Sequence, residues 1–200
     1  MPQVISWNQY PGASDMTNWK KTTKKLYEVY VCMPALGTKV YNVLEDAYYT
    51  TTEERPFVLS GTVGEQWIID FARLARTYKQ LNGEPITIES FKGKGHPYKV
   101  DWFKIQTVDD PTTNWAFFVD KSKKVKVQTA WGDSLIANRS GIEHGFGDYL
   151  VCTDVCGYPN MKDMWIVNGA VFSRTYNMKA FPGKMINWSG KIPIPKTLIK

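Results

Sequence analysis

A twelve-residue string occurs twice in this chain. Trp67-Ile68-Ile69-Asp70-Phe71-Ala72-Arg73-Leu74-Ala75-Arg76-Thr77-Tyr78 and Trp165-Ile166-Val167-Asn168-Gly169-Ala170-Val171-Phe172-Ser173-Arg174-Thr175-Tyr176 agree at six positions without a gap. Three more positions are conservative: Ile69/Val167, Asp70/Asn168 and Leu74/Phe172. A repeat means that one supersecondary unit is built twice, and any fold must accommodate both copies.

Each copy follows the same physical order. A short apolar run (Phe57-Val58-Leu59; Tyr149-Leu150-Val151-Cys152) leads into turn residues (Gly61 to Glu65; Asp154 to Asp163). A second run of β-branched and aromatic residues follows, so the pair reads as a β-hairpin. Asp70 and Asn168 then stand where a side-chain oxygen can accept from the free N–H groups of a helix's first turn. Leu74 and Tyr78, or Phe172 and Tyr176, lie four apart on one helical face. Farther upstream, Lys39-Val40-Tyr41-Asn42-Val43 and Lys124-Val125-Lys126-Val127-Gln128-Thr129 both alternate as half-buried strands do.

The expected fold is α+β, mainly β. Two related small antiparallel-sheet units, at about 28–80 and 100–178, each end in a short helix. An N-terminal extension (1–27), a connector (81–99) and an extended basic C-terminal arm (179–200) complete the chain. The 200 residues make one medium domain or two small ones, and 8 Trp, 11 Tyr and 9 Phe suit sheet cores and interfaces.

The net charge is +6, and its placement matters more than its size. Residues 164–200 hold no Asp or Glu but carry Arg174, Lys179, Lys184, Lys191, Lys196 and Lys200. Those six account for the whole excess of 25 basic over 19 acidic residues. In the arm, basic and apolar residues interleave between Pro and Gly, as in Phe181, Lys184, Trp188, Lys191 and Lys196. A disordered tail is poorer in such apolar residues, so the arm is expected to lie on a surface. Lys20, Lys21, Lys24 and Lys25, flanked by Trp19 and Tyr27, form a second basic cluster. It reads either as a solvated strand entrance or as phosphate contacts beside stacking rings. Lys92-Gly93-Lys94-Gly95-His96-Pro97 lacks P-loop spacing and reads as a flexible connector.

Few residues suggest catalysis. His144 could act as a general base oriented by Asp148 in Glu143-His144-Gly145-Phe146-Gly147-Asp148. The same Gly-Asp pair is also ordinary turn chemistry at a strand start. Three cysteines, an odd number, read as free thiols. Cys152 and Cys156 are spaced C-x3-C, and Cys32, His96 and His144 would complete a zinc site only by coincidence of folding, so no metal or cofactor is expected. No apolar run is long enough to span a bilayer, and the first residues lack the regions of a signal peptide.

The segment Gly147-Asp148-Tyr149-Leu150-Val151, Trp165-Ile166-Val167, Phe172 and Thr175-Tyr176 resembles the PGDYG-like domain of bacteriophage proteins. Phe146 stands where that pattern has Pro, and the first copy matches only from Trp67 onward. The resemblance implies a phage setting, in the virion or the host cytoplasm, and supplies no catalytic residues. The expected function is a non-enzymatic structural or binding protein, a virion or assembly component that contacts other phage proteins or itself. The alternatives are a binder of nucleic acid or of a host nucleotide-type ligand, and a small enzyme using His144 and Asp148.

Overall fold

The computed structural model describes residues 3–91, 102–129, 132, 134–139 and 146–195. Strands β1 (Val4–Ser6), β2 (Lys20–Thr22), β3 (Glu28–Cys32), β4 (Lys39–Asn42), β5 (Ala47–Thr50), β6 (Phe57–Ser60) and β7 (Gln66–Ile69) lead to helix α1 (Phe71–Thr77). They are followed by β8 (Tyr78–Gln80), β9 (Phe103–Thr107), β10 (Asn114–Asp120), β11 (Lys124–Gln128), β12 (Ser134–Ala137), β13 (Gly147–Val155), β14 (Tyr158–Val167) and α2 (Gly169–Thr175). The protein is mainly β, with antiparallel sheets and two short α-helices among the described residues.

The repeated string folds as its residues dictate. It forms the end of a strand, a cap and a seven-residue helix in both copies. Asp70 accepts from the Arg73 N–H at 2.7 Å, and Asn168 accepts from the Ala170 and Val171 N–H groups at 3.0 and 3.3 Å. Leu74 and Phe172 are fully buried, each contributing roughly 1.5–3 kcal/mol of transfer free energy.

The chain divides into two compact units, but not at the boundaries that the sequence suggests. One unit combines Met1–Lys25 with Asp110–Trp188, and the other combines Leu26–Asp109 with the tail from Ser189. We call them the β10 unit and the β3 unit after their central strands. The segment read as an N-terminal extension supplies β1 and β2 to the β10 unit, and β9 belongs to the β3 unit. The sheet edge of each unit explains this: β10 takes β2 as a neighbour, and β3 takes β9.

The two main sheets share one register. In the β3 unit the strand order is β7-β6-β3-β9-β8. One row across it reads Trp67, Leu59, Val31, Phe103. In the β10 unit the order is β14-β13-β10-β2, and the matching row reads Trp165, Val151, Ala116, Lys20. Past the sheet's end, Tyr78 lies opposite Thr107 in one unit and Tyr176 lies opposite Lys24 in the other. The likeness therefore covers the whole sheet, well beyond the twelve matching residues.

The layers match too. On the helix face of the β3 sheet, Val29, Val31, Phe57, Leu59 and Ile105 pack with Leu74 and Tyr78. On the opposite face, Val58 and Cys32 meet Val40 of the β4–β5 hairpin. In the β10 unit, Ala116, Tyr149 and Val151 pack with Phe172 and Tyr176 on the helix face. On its other face Phe117, Val119 and Leu150 pack with Val125, Val127 and Ala137 of the β11–β12 hairpin and with Trp19. Both alternating segments seen in the sequence, from Lys39 and from Lys124, supply that covering hairpin.

The stretch Asp154 to Asp163, read from sequence as a loop, is strand almost throughout. Val155 pairs with Tyr158, so Cys156 and Gly157 alone make the turn, with φ of 52° and 86°. Two successive positive φ values are what a two-residue hairpin turn needs to match strand twist. A register shift between Cys152 and Asp154 takes up the residues that looked like a loop.

Candidate interaction surfaces

The lysine cluster sits on and beside β2, at the edge of the β10 sheet. The Lys21 ammonium lies over the Trp115 ring, 5.1 Å from its centre. The Trp115 indole N–H donates to Asp154 at 2.6 Å, and Asp154 also accepts from the Gly157 N–H at 3.1 Å. These bonds, the indole first, hold the Asp154 carboxyl below the usual range. Lys24 pairs with Asp110 at 3.7 Å on the surface, an arrangement worth about 0–1 kcal/mol. The Lys25 ammonium donates to the Ser173 carbonyl at 3.0 Å in the last turn of α2, where a cation also complements the helix dipole. Burial lowers its pKa. Lys20 is exposed. Three of the four lysines are thus engaged within their own unit.

The arm is likewise engaged within the chain. Its first part folds through turns on the helix face of the β10 unit, so it is not extended there. Phe181 is buried edge-on against Tyr149 and Phe172, with ring centres 5.1 and 5.7 Å away. Lys184 lies over Phe118 at 4.4 Å, the Ile186 N–H donates to Ser173 Oγ at 3.0 Å, and Trp188 receives the Arg174 guanidinium at 5.1 Å. In the β3 unit, Ile192 is buried, while Pro193 packs beside Gly64. Lys179 and Lys191 are exposed. Lys196 lies outside the described residues.

Asp148 is buried, and both of its carboxylate oxygens accept backbone N–H groups. Oδ2 takes Asn138 at 2.7 Å, and Oδ1 takes Gly169 at the start of α2 at 3.1 Å. Asn138, at φ 59°, returns the bond through its side-chain oxygen to the Asp148 N–H at 2.8 Å. Its amide nitrogen donates to the carbonyls of Val119, Asp120 and Lys123. The sequence pointed to Asp148 but not to Asn138, which a turn-like Asn disguises. Gly147 precedes this staple because a Cβ there would meet the Val119 carbonyl at 2.0 Å. His144, Glu143 and His96 lie outside the described residues. Among the described residues no group of three His, Cys, Asp or Glu is placed to hold a metal ion. Cys152 is buried in β13, and burial pushes its thiol pKa up to about 12, while Cys156 is exposed at the hairpin turn.

Two features went unseen in the sequence. In the β3 unit, the phenols of Tyr27 and Tyr78 share a hydrogen bond beside the buried Glu65, whose Oε2 accepts the Val63 N–H at 2.9 Å. Burial, then the neighbouring phenol and carboxylate, raise the Tyr78 pKa. Glu65 follows Gly64 in an ordinary-looking turn, and nothing in its spacing marks it as buried. The second feature is apolar exposure at the hairpins. Tyr41 and Tyr48 face each other across β4–β5 with ring centres 5.0 Å apart, and Tyr48 is 67% exposed. At the β13–β14 tip, Val155 and Tyr158 are 50% and 69% exposed.

No family model, curated protein or solved structure matches this chain. What the chain displays is an architecture: a sheet between a short helix and a hairpin, made twice.

Proposed function

We propose that this protein is a non-enzymatic binding protein acting through protein–protein contacts, as a component of a phage assembly. The phage setting rests on the likeness of Gly147–Tyr176 to the PGDYG-like pattern. One observation carries the contact reading. Asp148, the described half of the pair that suggested catalysis, is buried and turned inward, while large apolar side chains stand exposed on the β4–β5 hairpin and at the β13–β14 tip. Exposed aromatic side chains on rigid hairpins are good anchors, because they bury large area at low entropic cost. The test is a variant with Tyr41→Ser, Tyr48→Ser, Val155→Ser and Tyr158→Ser, checked for folding by circular dichroism and traced by mass spectrometry in purified particles. The unaltered protein is expected in the particles and the folded variant is not. Equal incorporation of both, or absence of both, rejects the proposal.

A second reading has one observation in its favour: Lys20 is exposed beside the Lys21–Trp115 pair, a charge and a ring on one sheet edge. Phosphate contacts there would make nucleic-acid binding fall steeply with salt. A single-strand shift titration at two salt concentrations, with Lys20→Ala and Lys21→Ala as controls, tests it. No binding at low salt removes it.

A further inference from the structure

Neither repeat completes its own sheet. In chain order, the first repeat runs β2, β3, β6, β7, α1, β8, and the second runs β9, β10, β13, β14, α2. Yet β2 pairs with β10 of the second repeat, and β9 pairs with β3 of the first. The segments after the helices follow the same rule. Tyr78 pairs with Thr107, and Tyr176 bridges to Lys24. Corresponding bonds recur there: the Val108 N–H donates to the Thr77 carbonyl at 3.0 Å, and the Lys25 N–H donates to the Thr175 carbonyl at 2.8 Å. First strands are thus exchanged between the repeats in one register, and the two exchanges are equivalent position by position.

Residues 3–25 are therefore a donated segment. Their whole seat is in the β10 unit, but their covalent route to it runs through the β3 unit. The seat is substantial. β1 pairs in parallel with β11, and β2 pairs with β10. Trp19 is buried, with Trp7 and Tyr10 packed around Phe117 at ring distances of 4.9–5.8 Å. The Thr22 hydroxyl donates to the Asn177 carbonyl at 2.8 Å. Nothing in that seat distinguishes a segment of the same chain from the same segment of another copy. Only effective concentration favours the chain's own.

We infer that the partner surface of this protein is the seat formed by β10 and β11, and that its occupant in trans is residues 3–25 of a second copy. Exchange between equivalent elements is a low-cost route to dimers, and a one-way donation propagates into longer chains. The hinge is at Leu26, which is exposed and follows Lys25, bonded in the seat, and precedes Tyr27, whose N–H donates to Thr107 Oγ1 in the β3 unit. This inference does not depend on the contact function proposed above, because the serine variant of the hairpins leaves the seat intact.

The test reports on who donates. Thr22 and Asn114 are direct cross-strand partners, and neighbours in an antiparallel pair lie within disulfide reach. A Thr22→Cys, Asn114→Cys, Cys156→Ser chain is refolded from denaturant at low and at high concentration, oxidised, and run on a non-reducing gel. The expected result is internally linked monomer from dilute refolding, and linked dimers and higher bands from concentrated refolding. Linked monomer alone at every concentration overturns the inference. Should the triple variant not fold, isotope-labelled and unlabelled unaltered chains are refolded together at high concentration and weighed intact. Mixed dimers that survive dilution are expected, and their absence overturns the inference equally.

Discussion

Tyr149 and Phe57 hold the same place in two sheets. Tyr149 lies opposite Val167 as Phe57 lies opposite Ile69, and the rings differ by one hydroxyl. Phe57 packs against Phe91 at 4.6 Å, and Tyr149 packs against Phe181 at 5.1 Å. The Tyr149 hydroxyl is 1% exposed with its residue and finds no hydrogen-bond partner among the described residues. A buried polar group left unpaired costs about 1–3 kcal/mol. Tyr149→Phe is therefore expected to raise stability by about 1 kcal/mol, read as a higher urea midpoint. A lower midpoint would show that the hydroxyl is satisfied after all.

The two caps offer a matched pair. Asn168→Ala removes an acceptor for two N–H groups, and Asp70→Ala removes an acceptor for one. Each change is expected to lower stability by about 1 kcal/mol. Denaturant melts of the two variants against the unaltered chain check this, and an unchanged midpoint in either case would deny that cap its role.

Asp148 separates a structural from a catalytic role cleanly. Asp148→Asn replaces one oxygen acceptor with a donor, facing either the Asn138 or the Gly169 N–H. The expected loss is roughly 2 kcal/mol of stability. A carboxylate held for chemistry would behave otherwise, since its removal leaves stability unchanged or improved.

Alkali should destabilise the protein. The Cys152 thiol is raised to about 12 by burial, whereas an unfolded chain ionises near the ordinary thiol value of about 8.5. A raised native pKa gives stability that is full below the unfolded value and lost as pH climbs toward the native one. The buried Tyr78 and Tyr149 phenols, also raised, add to the loss higher in the same direction. Unfolding free energy followed from pH 7 to 11 should fall above about pH 8.5, and Cys152→Ala should shallow the first part of that fall. An unchanged slope in that variant would assign the loss to other groups.

Much of this was open to reading in the sequence. The cap and the covering hairpins each follow from local chemistry: Asp or Asn before an apolar period, and Val40 alternating with lysine and tyrosine. The four-residue spacing does not put Tyr78 or Tyr176 on a helix, because α1 and α2 end at Thr77 and Thr175 and both tyrosines are extended. The exchange of β2 and β9 was not open to reading. Lys20-Lys21-Thr22 is short and polar, and the pairing partner of such a strand is set by tertiary context rather than by propensity. The lysines misled for a related reason. Their charge was plain, but the Trp115 ring, Asp110 and the Ser173 carbonyl that engage Lys21, Lys24 and Lys25 come from far along the chain. Gly, Pro and Asn mark the whole Asp154–Asp163 stretch as a turn in the sequence. Only Cys156 and Gly157 use positive φ there.

A break between Thr112 and Thr113 should leave the molecule whole. Cutting there separates β2 from β10 in sequence, but the pairing between them remains. A protease site inserted at that point, then cleaved, is expected to give two pieces that elute together at the mass of the intact chain and part only in denaturant. Pieces that separate in native buffer would show that the donated segment contributes little.

The same donated segment sets an order of events during synthesis. Residues 3–25 leave the ribosome well before β10, β11 and Phe117, which receive them and are made only after the β3 unit's main segment. At roughly 5–20 residues per second, Trp7 and Trp19 wait on the order of ten seconds without their seat. The donated segment is thus made long before its seat, and on a crowded polysome its nearest vacancy can belong to the chain ahead.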